Sequence, residues 1–164
     1  MSAYGVCEWL EATPVAQLVK DTPWGFQVLA AIHIMGVALS VGTLVWFDLR
    51  LLGVAMPGCR LSVLYRQLLP WSGIGFLVMV ATGLLLFAGT ATASYVNVYF
   101  RIKLVALALA AGNALVYHRI TARSIVRWDA LPHPPFGARM AGMVSIVLWM
   151  SVVIAGRIIS LTLY

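Results

Sequence analysis

Apolar residues fill four long stretches of the chain, and polar residues gather between them. A helix needs roughly 20 apolar residues to cross the hydrocarbon core of a bilayer. Four stretches reach that length: Phe26 to Phe47, Leu68 to Thr90, Val98 to Tyr117, and Met140 to Leu163. The first carries only His33 as an ionisable group, and the second carries none. The third has Arg101 and Lys103 near its start, and Arg157 interrupts the fourth. Barrel strands alternate in polarity over about ten residues, whereas these runs are apolar on every side. The pattern predicts an all-α fold, a four-helix bundle integral to the membrane. Residues 1–25 form a tail with short surface helices, and residues 26–164 form the transmembrane domain. Within the tail, Thr13 followed by Pro14 reads as a helix cap and first position. Pro23-Trp24-Gly25 ends the tail with an aromatic anchor at the interface. Small residues four apart let membrane helices approach closely. Such pairs are Gly36 with Ser40, Ala38 with Gly42, Ala108 with Gly112, and Ser151 with Ala155.

Composition agrees. Of 164 residues, 62% are hydrophobic and 10% charged, with mean hydropathy +0.96. A soluble domain is about a quarter charged, and disorder needs low hydrophobicity with high charge; both classes are excluded. The length suits one domain. The tail lacks the basic and apolar regions of a cleavable signal peptide. The charge of +6 is distributed by side. Arg50, Arg60, Arg66, Arg119, Arg123, Arg127 and Arg139 fall in the two loops that four spans place together. Lys20, Arg101, Lys103 and Arg157 fall opposite. The positive-inside rule makes the first side cytoplasmic, so both termini are expected in the periplasm of a bacterial inner membrane. The basic balance is read as topology and anionic-lipid contact, with no nucleic-acid partner. Cys7 and Cys59 lie on opposite sides and match no zinc pattern.

The cytoplasmic loops carry three further features. Arg119, Arg123 and Arg127 recur every four residues, a cationic stripe for lipid headgroups or, alternatively, a protein partner. Leu131 to Gly137, rich in proline, predicts a rigid extended loop holding a solvated His133. Leu61 to Leu69 has leucines at helical spacing and predicts an interfacial segment before the second span.

Ionisable groups inside a bilayer are functional candidates by default. At 1.5 Å per residue, His33 lies roughly 10 Å inside the outer boundary, Lys103 about 8 Å and Arg157 near 9 Å. Three helices therefore present polar groups at one depth. One imidazole beside two cations suits haem b: His33 takes the iron, while Lys103 and Arg157 neutralise propionates. A quinone headgroup is a less specific fit, and Trp24, Met35, Asn97 and Tyr99 are neighbours available to it. The bland alternative is snorkelling of Lys103 and Arg157 to the interface. Copper is a further alternative, with His33, Met35 and Met79 as soft and imidazole ligands, although two cations nearby oppose a metal ion. At the inner face, His118 is a candidate ligand for a second cofactor, and Asp48 is a candidate ion-pair partner of Arg50, Arg119 or His118. His33 and His118 are roughly 20 Å apart by helix rise, too far to share one haem, and three histidines cannot supply bis-His ligation to two. Asn113, buried in the third span, is expected to hydrogen-bond between helices and is also a cofactor-binding candidate. No P-loop, dinucleotide fingerprint, HExxH or hydrolase motif is present. Five carboxylates, with only Asp48 near a span, argue against a relay of buried acids. No internal repeat indicates an inverted-repeat transporter.

Several stretches carry a resemblance: Ile32-His33-Ile-Met-Gly36, Asp48-Leu-Arg50-Leu-Leu-Gly53, Leu69-Pro70-Trp71, Gly75-Phe76 with Thr82-Gly83-Leu84, Lys103 with Asn113, and Trp149 with Gly156-Arg157. Through them the chain resembles an uncharacterised family of small four-helix bacterial inner-membrane proteins. More distantly it is similar to the copper-resistance protein D type and to the HemJ-type protoporphyrinogen oxidases. The latter resemblance, carried by His33, Arg50-Leu51 and Lys103, implies an association with b-type haem. The chain departs from that pattern at Asp48 and in the added Arg157. The expectation is a haem-binding or redox-associated membrane subunit, working with other membrane subunits or as a homo-oligomer and exchanging electrons with a periplasmic partner. Metal handling, with a periplasmic metal partner, and a ligand-free structural subunit are the alternatives.

Overall fold

A computed structural model of the chain describes residues 2–121, 125–129 and 134–162. Among the described residues there is no strand, and four helices are long and apolar enough to span a membrane. The tail forms α1 (Ala3–Glu11) and α2 (Pro14–Asp21). Ser2 caps α1 by accepting from the Gly5 N–H, and Thr13 caps α2 ahead of Pro14 at the first turn. The spans are α3 (Gly25–Leu51), α4 (Leu61–Gly89), α6 (Val98–Val116) and α8 (Phe136–Thr162). A short α5 (Ala91–Val96) joins α4 to α6, and α7 (Ile125–Trp128) lies in the loop before α8. Asn97 caps α6, its side chain accepting from the Tyr99 and Phe100 N–H groups. A π-helical turn over Tyr117–Thr121 extends α6. At 27 residues α3 is about 40 Å long, enough to cross the core with a turn to spare.

Two expectations change. Leu61 to Leu69 is not a separate interfacial segment but the first part of α4, which continues through Pro70. A proline removes one backbone bond, and membrane helices tolerate the loss because neighbouring groups re-satisfy the freed carbonyl. Phe136 and Gly137 do not extend the proline-rich loop; they open α8, whose first N–H groups bond to the Pro135 carbonyl. Leu131 and His133 lie outside the described residues, as do Arg123 of the cationic stripe and Leu163.

The bundle is built of two close pairs. α3 packs along α4 and α6 along α8, and α3 also meets α8. α4 and α6 stand apart over most of their length. The α3/α4 crossing is set by glycine. A Cβ on Gly75 would lie 2.5 Å from the Ser40 backbone nitrogen and 2.8 Å from the Gly36 carbonyl oxygen. Of the four small-residue pairs, Gly36 with Ser40 is therefore a true contact. Ala155 is buried, whereas nothing approaches Gly42 or Gly112 within 4 Å of an added Cβ. One core cluster, with Val41, Met79, Ala106, Trp149 and Val152, fills the middle of the bundle. A second, with Phe47, Leu51, Leu64, Tyr117 and Trp128, closes the end that carries α7.

The opposite end holds α1, α2, α5 and the close of α8. Glu11 Oε1 accepts from the Thr92 N–H at 2.8 Å and the Thr92 hydroxyl at 2.7 Å, while Lys20 Nζ is 3.1 Å from Oε2. Asn97 donates to Thr162 at 3.0 Å. Both ends of the described chain therefore share one face with the α4–α6 connection, as an even number of spans requires.

Candidate functional site

A cavity of about 1140 Å³ runs between the helix pairs. At the end beside the described termini, named the outer end after the expected topology, it is lined by His33, Lys103 and Arg157, and at the opposite end, named the inner end, by Asp48, Tyr65, Asn113, Tyr117 and His118. Phe87 of α4 and Phe100 of α6 stack with centroids 5.1 Å apart where the two helices come together near the outer end.

His33 is held by α4. Its Nδ1 lies 3.0 Å from Thr82 Oγ1. The Thr82 hydroxyl has one proton and donates it to the Val78 carbonyl at 2.6 Å. In the His33 contact, Thr82 therefore accepts and Nδ1 carries the hydrogen. The Met79 backbone is a further partner of the ring. In the neutral imidazole this leaves the Nε2 lone pair unused. Gly83 makes room for the ring, since a Cβ there would sit 3.1 Å from His33 Cε1. Lys103 reaches from α6 into electrostatic range of His33, and its Nζ is 3.7 Å from where a Cβ on Gly156 would be. Gly156 thus gives the lysine its place, one residue before Arg157. Arg157 is exposed at the mouth, with Nη1 3.5 Å from Ser160 Oγ.

Met79 is buried against His33's helix, but Met35 is 71% exposed on the outer surface of α3. Residues two apart on a helix do not share a face, so the structure does not bring Met35 to the His33 and Met79 side. Among the described residues no cluster of three or more His, Cys, Asp or Glu is placed to hold a metal ion.

Asn113 donates to the Ala141 carbonyl at 3.0 Å and ties α6 to α8. His118 pairs with Tyr65 of α4, its Nδ1 2.8 Å from the phenol oxygen. The ion pairs expected of Asp48 do not form. Arg50 turns to the following loop, donating from Nε to the Cys59 carbonyl at 3.0 Å and from Nη2 toward the Pro57 carbonyl. Asp48 instead bonds to Ser145 of α8 and leaves Oδ2 without a partner. Tyr117 Oη is likewise buried and unpartnered.

Thr82, Gly83 and Tyr65 escaped sequence reasoning as site residues, as did the two carboxylates that fasten the ends. Burial works to raise the Glu11 carboxyl, but the bonds from Thr92 and the Lys20 charge outweigh it and hold Glu11 below the usual carboxylate range. Asp129 accepts from the Ser62 N–H at 2.7 Å and the Ser62 hydroxyl at 2.5 Å, capping α4 from a distant loop. Burial again opposes, yet these bonds and the Arg60 charge hold Asp129 low. The signal available for both was only an acid near a predicted helix end.

Fold and site together define a four-helix membrane-spanning protein with a long intra-bundle cavity, cationic at one end and hydroxyl- and carboxyl-bearing at the other. The chain belongs to DUF6644, a family of unknown function, whose model matches residues 7–162. No curated protein and no solved structure matches it. The two more distant resemblances therefore rest on the quoted residues alone.

Proposed function

We propose that the protein is a haem-binding, redox-associated membrane subunit. The observation that carries this reading is the fixed His33 ring: Thr82 takes the Nδ1 hydrogen, so Nε2 is the free donor at a large apolar cavity. That is the arrangement an axial imidazole needs, with the second nitrogen oriented by a hydrogen bond. The donor set fits haem b better than a bare cation. Lys103 and Arg157 favour propionates and repel a lone metal ion, and Met35 faces away. In this reading His33 binds the iron, Lys103 and Arg157 hold the carboxylates, and the apolar walls exclude water. The haem would supply one-electron exchange. Electrons would pass between the quinone pool and a periplasmic partner, with further membrane subunits or a second copy completing the assembly. A bacterial inner membrane with periplasmic termini is supported by four cations at the outer end against seven at the inner.

The test is an optical spectrum of the purified chain, oxidised and then reduced with dithionite, beside His33→Ala. A Soret band with a sharp reduced α-band, lost in the variant, is expected. Protein made with ample haem that absorbs only through its aromatic residues would overturn the reading.

A further inference from the structure

The cavity is not walled on every side. Leu69, Gly73, Phe76 and Val80 of α4 and Ala111 and Ala114 of α6 line it and are also exposed. It therefore opens between these two helices, which stand apart. In a bilayer the opening faces lipid, so the seam is a groove in the lipid-facing surface. Its rims are apolar or small, and a Cβ on Gly73 would meet nothing within 4 Å. The Phe87–Phe100 stack closes the groove toward the outer end. Toward the inner end the α4 stripe continues one turn beyond Leu69 to Arg66. Positions 66, 69, 73, 76 and 80 are three or four apart and share one helix face. Tyr65 and His118, bonded to each other, line the cavity at that level.

The groove thus has a closed apolar end and an open cationic one. Arg66 is exposed, as is Arg119 next to His118. Neither acid of this end neutralises them. Asp48 is buried and bonded to Ser145, and Asp129 is bonded to Ser62 with Arg60 as the cation beside it. From Leu69 to Val80 the groove runs about 16 Å by helix rise. One leaflet supplies half of a hydrocarbon core roughly 30 Å thick. A molecule with an anionic head and an apolar chain one leaflet deep matches both the charge and the length. Basic residues beside gaps between spans are where anionic headgroups bind. We propose that the α4/α6 groove is a binding site for an anionic phospholipid of the leaflet at the inner end. One acyl chain lies along Leu69 to Val80, and the phosphate sits at Arg66. The chain stops short of Gly83, which lies against His33, so the lipid site does not depend on what His33 binds.

The full chain, delipidated in a neutral detergent, is titrated with dioleoylphosphatidylglycerol or dioleoylphosphatidylcholine and followed by its unfolding midpoint. A ligand of the folded state raises the midpoint with concentration. The expected result is a saturable rise, with the anionic lipid about fivefold tighter, the worth of one interfacial charge. Arg66→Gln is expected to remove that preference. Arg139, exposed near the start of α8, carries the same charge at the same end but off the groove, and Arg139→Gln is expected to change nothing. Ala111→Phe, which fills the groove from an exposed position, is expected to abolish the rise with both lipids. No saturable rise, or an equal one with the two lipids, would overturn the proposal. Equal losses in Arg66→Gln and Arg139→Gln would show diffuse attraction to a basic face and do the same. A rise that survives Ala111→Phe would place the lipid outside the groove, again against the proposal. A delipidated chain that is dimeric, and monomeric as Ala111→Phe, would assign the groove to a second copy and overturn it too. Should Ala111→Phe fail to fold, the comparison of Arg66→Gln with Arg139→Gln, both at exposed positions, decides.

Discussion

The α3/α4 crossing makes a quantitative demand at Gly75. An added Cβ would stand 2.5 Å from the Ser40 backbone nitrogen and 3.0 Å from the Ser40 Cα, where ordinary contact begins at 3.4 Å. The obstacle is backbone, not a side-chain tip that can swing away. Gly75→Ala therefore forces the two helices apart by roughly 0.9 Å at the crossing, the shortfall against that ordinary contact. Overpacking of this kind costs about 1–3 kcal/mol. Gly73, on the same helix with nothing within 4 Å, is the reference. Alanine improves helix propensity equally at both positions, so their difference isolates the steric cost. Reversible unfolding in mixed SDS micelles, followed by circular dichroism, is the assay. Gly75→Ala is expected to be about 1–3 kcal/mol less stable than Gly73→Ala. The displacement also reaches the candidate site, since His33 lies one turn from Gly36 and is bonded to Thr82 on the moving helix. Equal stability of the two variants would refute the close crossing and with it the positioning of His33.

Two further outcomes follow from side-chain bonds. Glu11 titrates below its ordinary value, so its contribution to the outer cap is complete above that value and is lost as pH falls through the lower folded-state one. The protection of the α1 amides, each rate referred to its intrinsic exchange rate at the same pH, is expected to fall as pH drops below the ordinary carboxylate range in the unaltered chain, and Glu11→Gln should flatten that dependence; an unchanged profile would remove Glu11 from the cap. Thr82→Val deletes the acceptor that orients His33 while keeping the shape, and should weaken haem about 10- to 100-fold in a titration of the apoprotein. Undiminished affinity would separate the imidazole's orientation from binding.

Much of this architecture is legible in the sequence, because length and apolarity decide which segments cross a bilayer. The four spans and the Thr13-Pro14 cap follow from local pattern. What is not legible depends on partners distant in the chain. Helix α4 passes through Pro70, since a single missing N–H does not stop a helix packed along its length. Asp48 finds Ser145 rather than a nearby arginine, because Arg50 is drawn to the carbonyls of its own following loop. Met35 fails as a companion to His33 on helical geometry alone, which a count of soft ligands overlooks. The roles of Thr82 and Gly83 appear only once α3 and α4 are set side by side.

The central claim is a haem held by one imidazole at the outer end of the cavity, and a pyridine haemochrome count tests it most directly. Protein produced with added haem precursor should carry close to one b-type haem per chain, and His33→Ala purified in parallel should carry none. A count near zero in the unaltered chain, or an equal count in both, would contradict the account.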